Sequence, residues 1–140
     1  MEFKSMKKIF LGGTCAGSKW RDDLTPILDN KGIEYFNPVV ADWNEEAKQC
    51  EDEEKNVKCG TLLFVITPEQ KGPYSYFEIA DAMHKVKNGE KDFLIFCVMN
   101  SEKWEKHMTS AFKKMIADVN RQIPDKCIAK FIDSVNQIFE

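Results

Sequence analysis

Four short apolar runs divide the chain: residues 8–11 (KIFL), 33–37 (IEYFN), 61–66 (TLLFVI) and 93–98 (FLIFCV). The first, third and fourth are nearly continuous hydrophobes, the pattern of strands covered on both faces in a parallel sheet. The second alternates more and belongs nearer an edge. Helical patterns lie between them. Residues 18–31 place Trp20, Leu24, Ile27 and Leu28 on one face, with Gly32 as a C-terminal stop. Pro26 either kinks this helix or marks its start after Thr25. Residues 43–58 are polar and predict a solvated, weakly packed helix, with Asp42 and Glu45 at capping-box spacing. Residues 75–88 carry Phe77, Ile79, Ala82, Met83 and Val86 in a helical pattern, and residues 102–119 carry Trp104, Met108, Phe112, Met115 and Val119. Pro124 breaks the chain. Residues 125–139, with Ile128, Phe131, Ile132, Val135 and Ile138, predict a last helix.

Strands alternating with helices require right-handed crossovers and a parallel sheet. The pattern predicts one doubly wound α/β domain over residues 1–140, a small, mainly parallel sheet flanked by helices in three layers. Such sheets bind ligands outside the carboxyl ends of their strands. That rule selects the loops after residues 11, 37 and 66.

The first loop, GGTCAGSKW (12–20), offers Gly12, Gly13 and Gly17 for tight turns and close backbone approach. It is neither G-x-G-x-x-G nor a P-loop. A plain strand-to-helix turn capped by Ser18 and a phosphate or sugar site both fit it. Arg21 at the start of the following helix opposes the helix dipole, which favours a role in holding an anion; Trp20 either packs or joins it. In the second loop, Asn37-Pro38 is a turn signal. Asn37 and Asp42 are candidates to bond a ligand, and Trp43 to pack or to stack on a base. In the third, Gly72-Pro73 turns the chain just before Tyr74, Ser75 and Glu78. Ser75 and Glu78 have the S-x-x-E spacing of a capping box. A helix N-terminus also favours an ionised carboxylate, the form a nucleophile needs. Helix cap and nucleophile therefore both remain open for Glu78.

The remaining composition narrows the partners. The net charge is −3 and no Lys/Arg cluster stands out, which argues against polymeric nucleic acid. The five cysteines form no C-x-x-C pair, which argues against a disulfide framework and a zinc site and predicts a reducing, cytoplasmic setting. Cys97, in an apolar run, reads as a buried thiol. With only two histidines, far apart, no metal constellation is visible, and no cofactor is implied. The start, MEFKSMKKIFLGG, does not read as a signal peptide, and no run approaches a membrane span of about 18 apolar residues.

Three segments in order, IFLGGTCAGSKWRDDLTPIL, YFNPVVADW and LLFVITPEQKGPYSYFEIADA, resemble the nucleoside 2-deoxyribosyltransferase-like family over about residues 8–98. The resemblance implies a flavodoxin-like fold and cleavage of an N-glycosidic bond, by deoxyribosyl transfer or by hydrolysis. The family's nucleophilic Glu falls on Glu78, which would attack C1′ and form a glycosyl ester. Gly12, Gly13 and Thr14 would line the sugar or its 5′ substituent. Gly72, Tyr74 and Ser75 would flank the nucleophile, and Asn37 and Asp42 would meet base or sugar. The family also implies assembly into a homo-oligomer, for which residues 102–119 and 125–139 are candidate interface helices.

Departures from the family pattern matter. An Asp usual at the start of the third strand is replaced by Lys58-Cys59-Gly60. The loop before Glu78 lacks an Asp, and the first loop lacks a Tyr, for which Tyr74 is a substitute. The proton donor to the leaving base is left to Asp42 or Glu69. Retention of Glu78 favours an enzyme. The lost acids favour a module that binds a nucleotide in the same pocket without turnover.

Overall fold

The computed structural model describes residues 7–15, 17–40 and 42–140. The start of the chain, on which the signal-peptide reading falls, lies partly outside the described residues. Five strands, β1 (Ile9–Gly13), β2 (Tyr35–Phe36), β3 (Thr61–Ile66), β4 (Phe93–Met99) and β5 (Cys127–Ile132), form one sheet in the order β2-β1-β3-β4-β5. Every neighbouring pair is parallel. Helices α1 (Trp20–Lys31), α2 (Glu45–Glu53), α3 (Tyr74–Lys87) and α4 (Lys106–Gln122) complete a flavodoxin-like α/β sandwich. The strand order reverses direction between β1 and β3, the switch point at which sheets of this kind form a ligand-binding crevice beyond the carboxyl ends of their strands.

Alternation along the strands feeds two cores. Phe10, Leu62, Phe64 and Phe96 face α3 and α4, where Ile79, Val86, Phe112 and Val119 meet them. Ile9, Leu11, Leu63 and Ile95 face α1 and a C-terminal 3₁₀ turn, Val135–Gln137. Phe10, Phe64 and Phe96 are almost wholly buried; a side chain of this size contributes about 1.5–3 kcal/mol on burial. Cys97 is fully buried in the same sheet, and burial pushes its thiol up to about 12.

Three expectations are corrected. Residues 125–139 are not a helix, because Cys127–Ile132 pairs with β4 as the fifth strand. Ile128 and Ile132 join the α1-side core, and Ala129 and Phe131 the other. Their spacing imitates a helix, but the open edge of β4 needs hydrogen-bond partners, and a β-branched and aromatic segment supplies them. This removes one of the two candidate interface helices. The helix expected over 43–58 is capped by Asn44, whose Oδ1 accepts from Ala47 N at 2.8 Å, and Asp42 takes no part. Helix α1 runs through Pro26 without a break. Its first turn is anchored by Trp20 and Arg21, and Gly32 ends it in the left-handed conformation at φ +68°.

Helix α2 has no buried residue and continues directly into a π-helical turn, Glu54–Lys58. The extra residue of such a turn re-aims the side chains it carries. Glu54 turns under the sheet and is buried, with Lys8 Nζ at 2.8 Å and Lys58 Nζ at 3.8 Å. Burial alone would raise its carboxyl, but the Lys8 hydrogen bond and the two ammonium charges outweigh that and hold it below its ordinary value. The next residue, Lys55, points instead toward α3.

Candidate active site

The carbonyls at the end of β1 have no further strand to bond and must find other donors. Arg21 supplies them. Its Nε donates to the Leu11 carbonyl at 3.0 Å, Nη1 to Thr14 at 2.7 Å and Nη2 to Gly13 at 3.4 Å. Trp20 Nε1 adds a bond to the Thr14 carbonyl at 2.8 Å, and the guanidinium stacks on the Trp20 ring. Both side chains are buried. Trp20 and Arg21, expected as substrate contacts, are thus buried against the end of β1 and bonded to its backbone carbonyls. Burial lowers the Arg21 pKa, and its charge still acts on Glu51 and Glu78.

The first loop is tied to the third. Thr14 N donates to Val65 O, the Thr14 hydroxyl donates to Gln70 Oε1 at 2.8 Å, and it accepts from Thr67 N at 2.9 Å. Gly12 lies within β1 against the Phe64 ring, which an added Cβ would meet at 2.5 Å. Gly13 has φ +110°, and a Cβ there would fall 2.2 Å from the Val65 carbonyl. The glycines thus let β1 and β3 close on one another. Gly12 is buried and Gly13 partly exposed.

Glu78 sits on the first turns of α3, with its side chain 15% exposed. It is not a cap. The N-cap is Pro73, no side chain caps the helix, and Ser75 is buried. The capping-box reading of Ser75 and Glu78 fails because the helix begins at Tyr74, with Pro73 in the cap position two residues before Ser75. The Glu78 carboxylate instead pairs with Lys55 Nζ at 3.1 Å. Burial pulls the Lys55 ammonium toward neutrality, but the charge and hydrogen bond of Glu78 outweigh it, and the Lys55 pKa is raised.

One turn before Lys55, on the same face, lies Glu51. Burial raises its carboxyl above its ordinary value; Lys55 pulls it back, and the charge of Glu78 raises it further. Glu51, Lys55 and Glu78 thus act on one another electrostatically, and Lys55 and Glu78 are in direct contact. Neither Glu51 nor Lys55 is distinguished in the sequence, where they form an ordinary i,i+4 pair in a polar run. The available signal is topological: the chain between β2 and β3 of a doubly wound sheet must return alongside the crevice.

The other expected residues are placed less centrally. Tyr74 is 65% exposed, stacks on Phe77 at 6.0 Å and acts electrostatically on Lys55. Asn37 closes its own turn by accepting from Val39 N at 3.0 Å. Asp42 and Gly72 are exposed, and Trp43 is 57% exposed, so it does not pack. Glu69 is exposed and lies over Gly17. Among the described residues no cluster can hold a metal ion, and no helix is long and apolar enough to cross a membrane.

A parallel sheet in the order β2-β1-β3-β4-β5 flanked by helices defines a flavodoxin-like α/β protein. Residues 6–99 match the family described as nucleoside 2-deoxyribosyltransferase like, and the chain belongs to that family. Comparison with curated proteins and with solved structures gives no match.

Proposed function

We propose that the protein cleaves the N-glycosidic bond of a (deoxy)nucleoside or nucleotide through a glycosyl ester on Glu78. The observation that carries this reading is the half-buried cluster of Glu78, Lys55 and Glu51 beside the switch point. A Glu78 carboxylate oxygen attacks C1′ as the bond from C1′ to the base nitrogen breaks, and the bonding electrons leave with the base. Glu51, in its protonated form, donates its proton to that nitrogen and becomes a carboxylate. An acceptor base or water then attacks C1′. Glu51 takes the proton released, and Glu78 leaves as a carboxylate. The positive charge that develops on the sugar is stabilised by the carboxylate next to it. Glu51 takes the role that the sequence left to Asp42 or Glu69, neither of which is tied to Glu78. Gly13 and Tyr74 border the substrate, and Trp43 is available to stack on a base.

Incubation with nucleosides and their 5′-monophosphates, ribo and deoxy, with and without an acceptor base, tests the reading. The expected result is release of free base, followed by chromatography. Dependence on the acceptor identifies transfer, and independence identifies hydrolysis. No release from any substrate by the folded protein would sink it. One observation favours the second reading, a nucleotide-binding module without turnover: Lys55 occupies the carboxylate that has to attack. A ligand that raises the melting temperature without releasing base would establish that reading.

Homo-oligomer assembly belongs to the same proposal. Val39, Val40, Trp43, Tyr74 and Phe77 are large, apolar and exposed on the loop after β2 and the start of α3. A second copy there would cover them and wall in the open side of the cleft. Light scattering during size-exclusion chromatography should give at least a dimer at micromolar concentration; a clean monomer would rule out a shared site.

A further inference from the structure

Glu78 presents two carboxylate oxygens in different surroundings. Oε2 accepts from Lys55 Nζ at 3.1 Å, and among the described residues nothing donates to Oε1. The two side chains are 18% and 15% exposed, so little water competes for the contact. Lys55 therefore holds one oxygen of the carboxylate and leaves the other for attack.

The ammonium is held in place from several sides. Glu54, the residue before it, is anchored under the sheet by Lys8 Nζ at 2.8 Å. The centre of the Phe10 ring lies 5.9 Å from Lys55 Nζ. Burial pulls Lys55 toward neutrality, but Glu78, with Tyr74 and Glu51 behind it, keeps it charged. Arg21 cannot take its place, because its guanidinium is committed to the Leu11, Gly13 and Thr14 carbonyls. An ammonium has three N–H donors and no acceptor. Its contact with Glu78 is strongest when Oε2 carries negative charge.

That preference acts differently on the two halves of the reaction. In the first, Oε1 bonds to C1′, the leaving group departs with its electron pair, and Oε2 becomes the carbonyl oxygen of the ester. Charge leaves Oε2, and the bond from Lys55 weakens. Glu51, having given its proton to the base, is then the carboxylate that balances Lys55. In the second half, an acceptor nitrogen or a water oxygen attacks C1′. The C1′–Oε1 bond breaks, its electron pair returns to Glu78, and Glu51 takes the proton of the acceptor. Negative charge reappears on Oε2 directly against the ammonium, where it is stabilised as it forms.

We propose that Lys55 is a positioning residue that acts through Glu78 Oε2: it reserves Oε1 for attack and assists departure of the carboxylate, so that the glycosyl ester breaks down rather than accumulates. The inference rests on the glycosidic reading of Glu78.

The test compares wild type, Lys55→Met and Lys55→Arg by rapid mixing and by intact-protein mass of quenched reactions. The substrates are a nitrophenyl 2-deoxyriboside, 2′-deoxynucleosides and their 5′-monophosphates, with adenine and cytosine present as acceptors in water. In Lys55→Met, breakdown of the ester should slow about 10- to 100-fold, the contribution of a charged hydrogen bond. Release should then show a burst of one leaving group per protein followed by slow turnover, and the mass should show a deoxyribosyl adduct absent or weaker in wild type. Lys55→Arg, which keeps the cation, should suppress both signs. Lys55→Gln, neutral and polar, replaces the Met variant if that folds poorly. A merely structural role would slow burst and turnover together and leave no adduct. That result, or unchanged kinetics, overturns the role of Lys55, while release by wild type leaves the glycosidic reading standing. Absence of release from every substrate overturns that reading and this one together.

Discussion

Glu78→Gln is expected to lower base release by about four orders of magnitude or more, the scale on which removal of a covalent nucleophile acts. The amide keeps the size of the carboxylate but cannot form the ester. It also cannot stabilise the positive charge developing at C1′. The fold should survive, because Glu78 lies outside both cores and caps no helix. Loss of its charge leaves Lys55 part-buried without a counter-ion, so a modest fall in melting temperature should accompany the loss of activity. Chromatographic assay of base release beside a thermal melt separates the two effects. Full activity in a folded Glu78→Gln protein would remove Glu78 from the mechanism.

Glu51→Gln should act differently on different leaving groups. With a natural base the rate should fall about 10²- to 10⁴-fold, the usual contribution of a general acid. With an activated leaving group such as a nitrophenyl deoxyriboside, which departs without a proton, the loss should be far smaller. The wild-type rate on a natural base should decline as pH rises through the elevated Glu51 value, and the variant should lose that decline. Stability moves the other way. A carboxyl raised in the folded state contributes stability at low pH that is lost as pH rises through its folded value. Ionised Glu51 is therefore a liability at neutral pH, and the burial that causes it is shown by its shift. Glu51→Gln should melt higher than wild type at neutral pH, and the difference should vanish once the solution is acid enough to protonate Glu51 in both states. Trading stability for a tuned carboxyl is a common feature of active sites. Equal losses on natural and activated substrates would refute the proton-donor role.

Much of the fold is legible in the chain. Phe10-Leu11, Leu62 to Ile66 and Leu94 to Val98 are continuous hydrophobes. Only a strand covered on both faces buries every residue of such a run, so β1, β3 and β4 follow directly. The crevice beyond their carboxyl ends follows from the alternation of strands and helices, and Glu78 follows from its place just after β3. The fifth strand does not follow. Ile128, Phe131 and Ile132 satisfy a helical spacing and a strand's two faces equally well, and the open edge of β4 decides between them.

The site divides in the same way. Residue order alone puts a carboxylate at the start of α3 and glycines at the end of β1. It does not say where the carboxylate points, because S-x-x-E serves a cap or a distant partner equally well. Arg21 reads as a free cation until the unpaired carbonyls of β1 are seen to need it. Glu51 and Lys55 read as a solvated pair until α2 is laid beside α3. Periodicity and burial are local properties that the sequence encodes residue by residue, so it determined the layers, four of the five strands and the place of Glu78 just after β3. Ion pairs, desolvation and the pKa shifts that follow depend on distances between residues such as Lys55 and Glu78, 23 positions apart in the chain, and only tertiary packing sets those.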